Sequence, residues 1–150
     1  MLTRVTFTVH MEETKLSRSF SPAPFVPQNM MEREKRCEEI LMIQAMGLKK
    51  RLVHTHSRTA VVGISGGLDS TLALLVTAKA FDMAGKDRKD IIAVTMPCFG
   101  TTDRTYQNAC QMSKKLGATL REVPIADAVQ THFRDIGHDE DVHDVTYENS

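Results

Sequence analysis

Nine consecutive residues, Gly63-Ile64-Ser65-Gly66-Gly67-Leu68-Asp69-Ser70-Thr71, hold the densest set of groups capable of chemistry in this chain of 150 residues. They follow a short apolar run and open a helical pattern. A turn between a strand and a helix presents backbone N–H groups and the positive end of the helix dipole, and both favour an anion. Adjacent glycines, Gly66 and Gly67, let the backbone approach a phosphate with no Cβ in the way. Ser65, Ser70 and Thr71 add hydroxyl donors. Asp69 is the odd member, because a carboxylate beside a phosphate is repelled unless a cation lies between them. An Asp69 that holds Mg²⁺, or a Mg-bound water, against the phosphate resolves the conflict.

Other glycine-rich loops compete for the same residues. A Walker A loop ends in Gly-Lys-Ser/Thr, and no lysine occurs between Arg58 and Lys79. A dinucleotide fingerprint needs Gly-x-Gly, whereas the spacing here is Gly63-x-x-Gly66. Gly63 to Gly67 does match G-x-S-x-G, the nucleophile elbow of α/β-hydrolases, with Ser65 as nucleophile. Asp103 and one of His132, His138 or His143 follow in the required order. Yet the only glycine upstream is Gly47, inside a helical stretch, so the usual oxyanion loop is missing. The elbow also leaves Asp69 and Ser70 without a role. An ordinary glycine turn is the plainest alternative, but Ser-Gly-Gly-x-Asp-Ser arises by chance about once in several thousand chains of this length.

Ser65-Gly66-Gly67-Leu68-Asp69-Ser70 resembles the PP-loop of the ATP-pyrophosphatase superfamily, whose members adenylate an acceptor and release pyrophosphate. Further segments narrow the resemblance: Arg33 to Leu41 and Ile43 to Leu48 in the first long helix, the Phe20 to Pro27 connector, Met96-Pro97, the turn from Gly100 to Asp103, and Tyr147-Glu148-Asn149-Ser150. Together these are similar to the glutamine-dependent NAD synthetase family, with another PP-loop member, GMP synthetase-like or tRNA-modifying, as the alternative. The resemblance implies a Rossmann-like parallel sheet of the adenine nucleotide alpha hydrolase type, incomplete at the C-terminus. It implies ATP and Mg²⁺ as cofactors, with deamido-NAD⁺ and ammonia from glutamine as substrates. The reaction would be amidation through an adenylated carboxylate, in a homo-oligomer at full length. Carried onto this sequence, Ser65, Gly66, Gly67, Leu68, Asp69 and Ser70 surround the ATP phosphates, with Asp69 facing the metal. Met96 and Thr101 lie near the adenosine, and Asn149 belongs to the deamido-NAD⁺ site. The family's glutaminase triad has no counterpart here, and the motif begun at Tyr147 normally runs on into an arginine-bearing helix. The expectation is a piece of a synthetase that binds nucleotide and does not complete the reaction alone.

The elements that must position these groups are legible as strand–turn–helix units. Ala60 to Ile64 and Ile91 to Met96 are short apolar runs, the first reading as a strand covered on both faces, and Ala118 to Val123 reads as a third strand. Helices are expected over 71–84, 104–116 and 125–133, the first two ended by Gly85 and Gly117, and Thr102-Asp103 caps the second. The strand spacing is that of βαβ units, so the fold class is α/β with a parallel sheet and flanking helices. Upstream, a long helix over 31–54 carries Cys37, Ile40, Leu41, Ala45, Leu48 and Leu52 at helical spacing. Before it, Ser17 to Gln28 with three prolines is an extended connector. Val5, Phe7 and Val9 alternate with polar residues as an edge strand would. Residues 1–30 are therefore an N-terminal strand and connector, and 31–150 the first half of an ATP-binding domain. Asp135 to Ser150 has no periodicity and reads as a loop.

Composition bounds the rest. Lys+Arg and Asp+Glu both number 19, a balance that excludes the basic footprint of a nucleic-acid or anionic-membrane binder. Trp is absent and aromatics are scarce, which argues against a single-strand stacking platform. No apolar run is long enough to span a bilayer, and Met1 to His10 lacks the apolar core of a signal peptide. Three cysteines without a C-x-x-C spacing read as reduced thiols in the cytoplasm. Cys37 is expected in the core, Cys98 and Cys110 as inert. His138, Asp139, Asp141, His143 and Asp144 fit no standard metal spacing and read as a solvated acidic loop, although it has the length to close over a substrate. His54 and His56 suit a helix end. Met30, Met31, Met42 and Met46 read as packing, and Arg33, Arg36, Glu38 and Glu39 as a solvated helix face.

Overall fold

The computed structural model describes residues 2–11, 13, 15 and 17–149. It divides into two units, Met1–Lys35 and Arg36–Ser150. In the first, residues 2–11 form no strand, and Val5, Phe7 and Val9 are 78%, 80% and 65% exposed. The expected edge strand is thus absent among the described residues. A strand needs a neighbour for its N–H and C=O groups, and no described residue of this unit lies in one. The proline-rich connector is held by local bonds: Val26 N–H donates to Ala23 O at 3.1 Å, and Arg33 Nε donates to Pro27 O at 3.2 Å. Asn29 opens the long helix α1 (Met30–His54), its Oδ1 accepting from Met31 N–H at 2.9 Å.

The C-terminal half of α1 belongs to the second unit, where Ala45 and Leu52 are buried and Leu48 packs beside them. Cys37 is exposed, contrary to the expectation of a core position. Met30, Met31, Met42 and Met46 are also exposed and do not pack as expected. The physical reason is that the core touches α1 only along its last three turns, at positions 45, 48 and 52. α1 ends without glycine: His56 takes the left-handed conformation, φ 52°, that closes a helix.

The remaining elements are β1 (Ala60–Gly63), α2 (Leu68–Met83), a 3-10 turn at Arg88–Asp90, β2 (Ile91–Thr95), α3 (Asp103–Leu116), β3 (Thr119–Glu122), α4 (Ala126–Ile136) and α5 (Val145–Glu148). The three strands pair in parallel in the order β1-β2-β3. Ala60 faces Ile91 across the first pair, and Ile92 faces Thr119 across the second. β2 is central, with Ile91, Ala93 and Thr95 buried. β1 is an edge strand here, and Val61 is 68% exposed, so it is covered on one face rather than two. α2 contributes Leu74, Ala78, Ala80 and Phe81 to the core, and α3 contributes Ala109. Burial of those apolar groups holds both helices to the sheet.

Cross-links tune that packing. Arg88 forks onto Asp82 of α2 through two bonds of 2.7 and 2.5 Å and donates to Leu116 O at the end of α3. Tyr106 of α3 donates to Glu122 of β3 at 2.6 Å, and that bond raises the phenol's pKa above its usual value. Gly117, at φ 76°, turns the chain from α3 into β3 as expected. The stretch after α4 is more ordered than a loop. Gly137, at φ 71°, reverses the chain, and α5 forms one turn that lacks the length for a detectable period.

Candidate functional site

The glycine-rich turn lies at the carboxyl ends of the strands, where open α/β sheets hold ligands. Ile64 N–H donates to Val94 O at 2.8 Å and carries the sheet bonding to the edge of the turn. The chain then bends at Gly66, φ 83°. A Cβ on Gly66 would lie 1.9 Å from the backbone oxygen of Thr105, in the first turn of α3. The glycine is therefore required twice, by its conformation and by that approach. Two serines lock the turn from within. Ser70 Oγ accepts from Ser65 N–H at 3.3 Å and donates to Gly67 O at 3.2 Å, and it lies 3.1 Å from Ser65 Oγ. Ser65 Oγ in turn accepts from Gly67 N–H at 3.3 Å.

α2 starts at Leu68, earlier than the expected residue 71, so Leu68, Asp69 and Ser70 form its first turn. Gly67 is the N-cap and offers no side-chain cap bond. The first-turn amides consequently have no intrahelical acceptor and are available to an anion. α3 starts beside it, capped by Thr102 Oγ1, which accepts from Thr105 N–H at 3.3 Å. The N-terminal turns of α2 and α3 thus meet at the contact of Gly66 with Thr105, and each carries the positive end of its own helix dipole.

A cavity of about 470 Å³ opens at this convergence, lined in part by Ser65, Gly67, Thr95, Met96, Thr101 and Thr105. Four expected site residues, Ser65, Gly67, Met96 and Thr101, therefore meet around one space. Gly66 instead faces a groove between α2 and α3. Leu68, Asp69 and Ser70 line neither. Leu68 is 84% exposed, and the Ser70 hydroxyl is spent on the turn itself. Asp69 is exposed, and its carboxylate makes no hydrogen bond or ion pair with the described residues. Thr95 and Thr105 were not singled out in the sequence. The cap at Thr102 was the available signal for Thr105, which lies one turn further on.

A second cavity of about 480 Å³ adjoins the first, sharing Gly100 and Thr101 with it. Its other walls include Cys98, Phe133, Tyr147 and Glu148. Thr101 fixes the shared edge: its Oγ1 accepts from Cys98 N–H at 3.0 Å, and its own N–H donates to Cys98 O at 2.9 Å. Asn149 is not among the lining residues; its Nδ2 donates to Val145 O at 2.7 Å and closes α5. Tyr147 and Glu148, quoted above only as part of a motif, are the residues of that segment that reach the cavity.

The hydrolase alternative fails on geometry. Ser65 Oγ is bonded to Ser70 and Gly67, with no histidine beside it. His132 is exposed on α4, His143 stacks on Tyr147, and His138 bonds Asp144. The acidic stretch 138–144 is also not wholly solvated, since the His138 side chain is only 10% exposed. Among the described residues, no three His, Cys, Asp or Glu side chains group to hold a metal ion. No helix of the described residues is long and apolar enough to cross a membrane, and the three cysteines are unpaired.

Comparison with known proteins agrees with this architecture. The NAD synthase family model matches residues 40–150. The glutamine-dependent NAD(+) synthetase of Mycobacterium leprae is 42% identical over 138 residues, covering 89% of this chain and 20% of that protein. The NH(3)-dependent NAD(+) synthetase of Thermoplasma acidophilum is 38% identical over 74 residues, 49% of this chain and 29% of that one. In fold, the chain is similar to a glutamine-dependent NAD+ synthetase from Acinetobacter baumannii solved with ADP. The TM-score is 0.65 at 23% identity, over 75% of this chain and 20% of that one. The chain spans about one fifth of the length of its glutamine-dependent relatives. A strand–glycine turn–helix cradle at the open end of a parallel sheet, with the family model matching from α1 to the last residue, leads to one statement: the chain belongs to the NAD synthase family.

Proposed function

We propose that this chain supplies the ATP-binding part of an enzyme that amidates deamido-NAD⁺ to NAD⁺, a ligase that forms a carbon–nitrogen bond. The observation that carries the reading is the convergence of the α2 and α3 N-terminal turns on one cavity beside a glycine turn locked by two serines. Kinship with the M. leprae synthetase and the ADP in the A. baumannii structure support it.

In this reading the ATP phosphates sit against Ser65, Gly66, Gly67 and the first-turn amides of Leu68, Asp69 and Ser70. Fixed N–H donors aimed at the departing pyrophosphate stabilise its charge without reorganisation at the moment of reaction. The adenosine extends toward Met96 and Thr101, where the first cavity passes into the second. The acceptor carboxylate of deamido-NAD⁺ enters from the second cavity, beside Tyr147, Glu148 and the adjoining Asn149. Adenylation gives that carboxylate a leaving group, and ammonia then displaces AMP. The unpartnered carboxylate of Asp69 suits Mg²⁺, which is commonly held by one or two carboxylates together with substrate phosphates and water. When bound, Mg²⁺ supplies charge neutralisation on the phosphate oxygens. Ammonia comes from glutamine through a separate domain. The full-length enzyme is a cytoplasmic homo-oligomer, with no nucleic-acid or membrane partner.

The test is a chimera in which this chain replaces the matching 138-residue stretch of the M. leprae synthetase. It should form NAD⁺ from deamido-NAD⁺, ATP and glutamine. Asp69→Ala in that background should lower the rate by about a hundredfold or more, as expected for a lost charge contact at a phosphoryl group. A folded chimera that consumes no ATP, or an Asp69→Ala chimera as active as its parent, contradicts the reading.

A further inference from the structure

The one-turn helix α5 is held by an arrangement that the phosphate cradle does not need. A four-residue helix has no stability of its own in water, so contacts outside it must hold it. Asp144 provides three of them through one oxygen. Its Oδ1 accepts from Thr146 N–H at 2.8 Å, from Tyr147 N–H at 3.1 Å and from His138 Nε2 at 2.9 Å. An ionised carboxylate only accepts, so His138 is the donor. His138 is itself fixed: its N–H donates to Phe133 O at 2.9 Å, and its ring stacks on Phe133 with centroids 4.9 Å apart. Phe133 is buried on α4 and also stacks with Tyr147 at 6.1 Å, while His143 stacks on Tyr147 at 4.2 Å.

We propose that His138 and Asp144 are positioning residues: their hydrogen bond clasps α5 to α4 and so sets Tyr147 and Glu148 as one wall of the second cavity. The clasp stands on the geometry alone. Its role in seating the dinucleotide rests on the function proposed above.

Cys98, a half-buried free thiol that also lines that cavity, is a built-in reporter. In the 150-residue chain with Cys37 and Cys110 replaced by serine, the rate at which a soluble disulfide reagent labels Cys98 follows how often the wall opens. His138→Ala and Asp144→Ala should each raise that rate by about tenfold. His138→Gln, which keeps a donor toward Asp144, should restore it to within about threefold of the parent. ATP affinity should be the same in all of them. Unchanged labelling in both alanine variants overturns the clasp, as does a glutamine variant no slower than alanine. Where an alanine variant loses its fold, Asp144→Asn decides. A neutral amide oxygen serves three donors poorly, so labelling should rise by about threefold or more; no change overturns the clasp. Deamido-NAD⁺ is added in a separate arm. It should protect Cys98 in the parent and not in Asp144→Ala. A parent that it fails to protect counts against the dinucleotide role, while the labelling rates without ligand still judge the clasp.

Discussion

At Gly66 a single methyl group has two costs. The residue stands at φ 83°, and a Cβ there would meet the Thr105 backbone oxygen at 1.9 Å. Neither the turn nor α3 yields cheaply, because the atom in the way is backbone. Gly66→Ala should destabilise the chain by about 2 kcal/mol or more, the sum of left-handed strain and overpacking, and should weaken ATP binding as the two helix N-termini separate. Gly67→Ala is the control. Its φ is −81°, and the nearest atom to a new Cβ is the Ser65 hydroxyl at 3.3 Å, so the change in denaturant midpoint should be much smaller. At this scale residue types mark Ser65 and Gly67, the family resemblance marks Met96 and Thr101, and one cavity gathers all four. The part that was not legible depends on distant partners. The contact of Gly66 with Thr105 spans a strand and a helix, and the bond of Ser70 within the turn redirects a hydroxyl that residue type alone would give to the ligand.

Between elements, the Arg88 fork is the clearest electrostatic tie. It joins α2 to the 3-10 turn and, through Leu116 O, to the end of α3. The guanidinium beside Asp82 holds that carboxyl below its ordinary value, chiefly through the hydrogen bonds. A carboxyl depressed in the folded state adds stability above its unfolded pKa of about 4, and loses it as pH falls through the lower folded value. Both side chains are about two-fifths exposed, so solvent screening limits the effect to about 1 kcal/mol or less. Asp82→Asn should therefore lower thermal stability slightly at pH 7 and flatten the acid limb of the stability profile below about pH 4. An unaltered acid limb would show that other carboxylates carry it. Strands and helices with clear periods and glycine stops were legible here. α5 was not, since one turn contains no period and its stability comes from Asp144 and the ring stack. Residues 2–11 show the converse: the alternation of Val5, Phe7 and Val9 is present, but a pattern forms a strand only when another strand receives its hydrogen bonds.

At the scale of the second unit, the described strands form a three-stranded parallel sheet with β1 on its edge and Val61 exposed. The apolar run from Ala60 to Ile64 suggests burial on both faces because its composition suits a strand inside a larger sheet, and this chain covers one face. Cys37 and the methionines of α1 are likewise exposed, since the buried core meets α1 only at Ala45, Leu48 and Leu52. The fold class and the order of elements from α1 to α4 could be read from the sequence, as could the open end of the sheet, where folds of this class hold ligands. How much of each apolar face is covered could not, since burial depends on what else packs there.

The central claim is that the turn from Ser65 to Thr71 cradles the phosphates of a magnesium nucleotide. It is tested most directly by calorimetric titration of the chain with ATP, with and without Mg²⁺, beside Asp69→Ala. Mg²⁺ should strengthen binding, and Asp69→Ala should lose about tenfold or more in affinity only when Mg²⁺ is present. Binding indifferent to Mg²⁺ and to Asp69, or no binding by a folded chain, would contradict it.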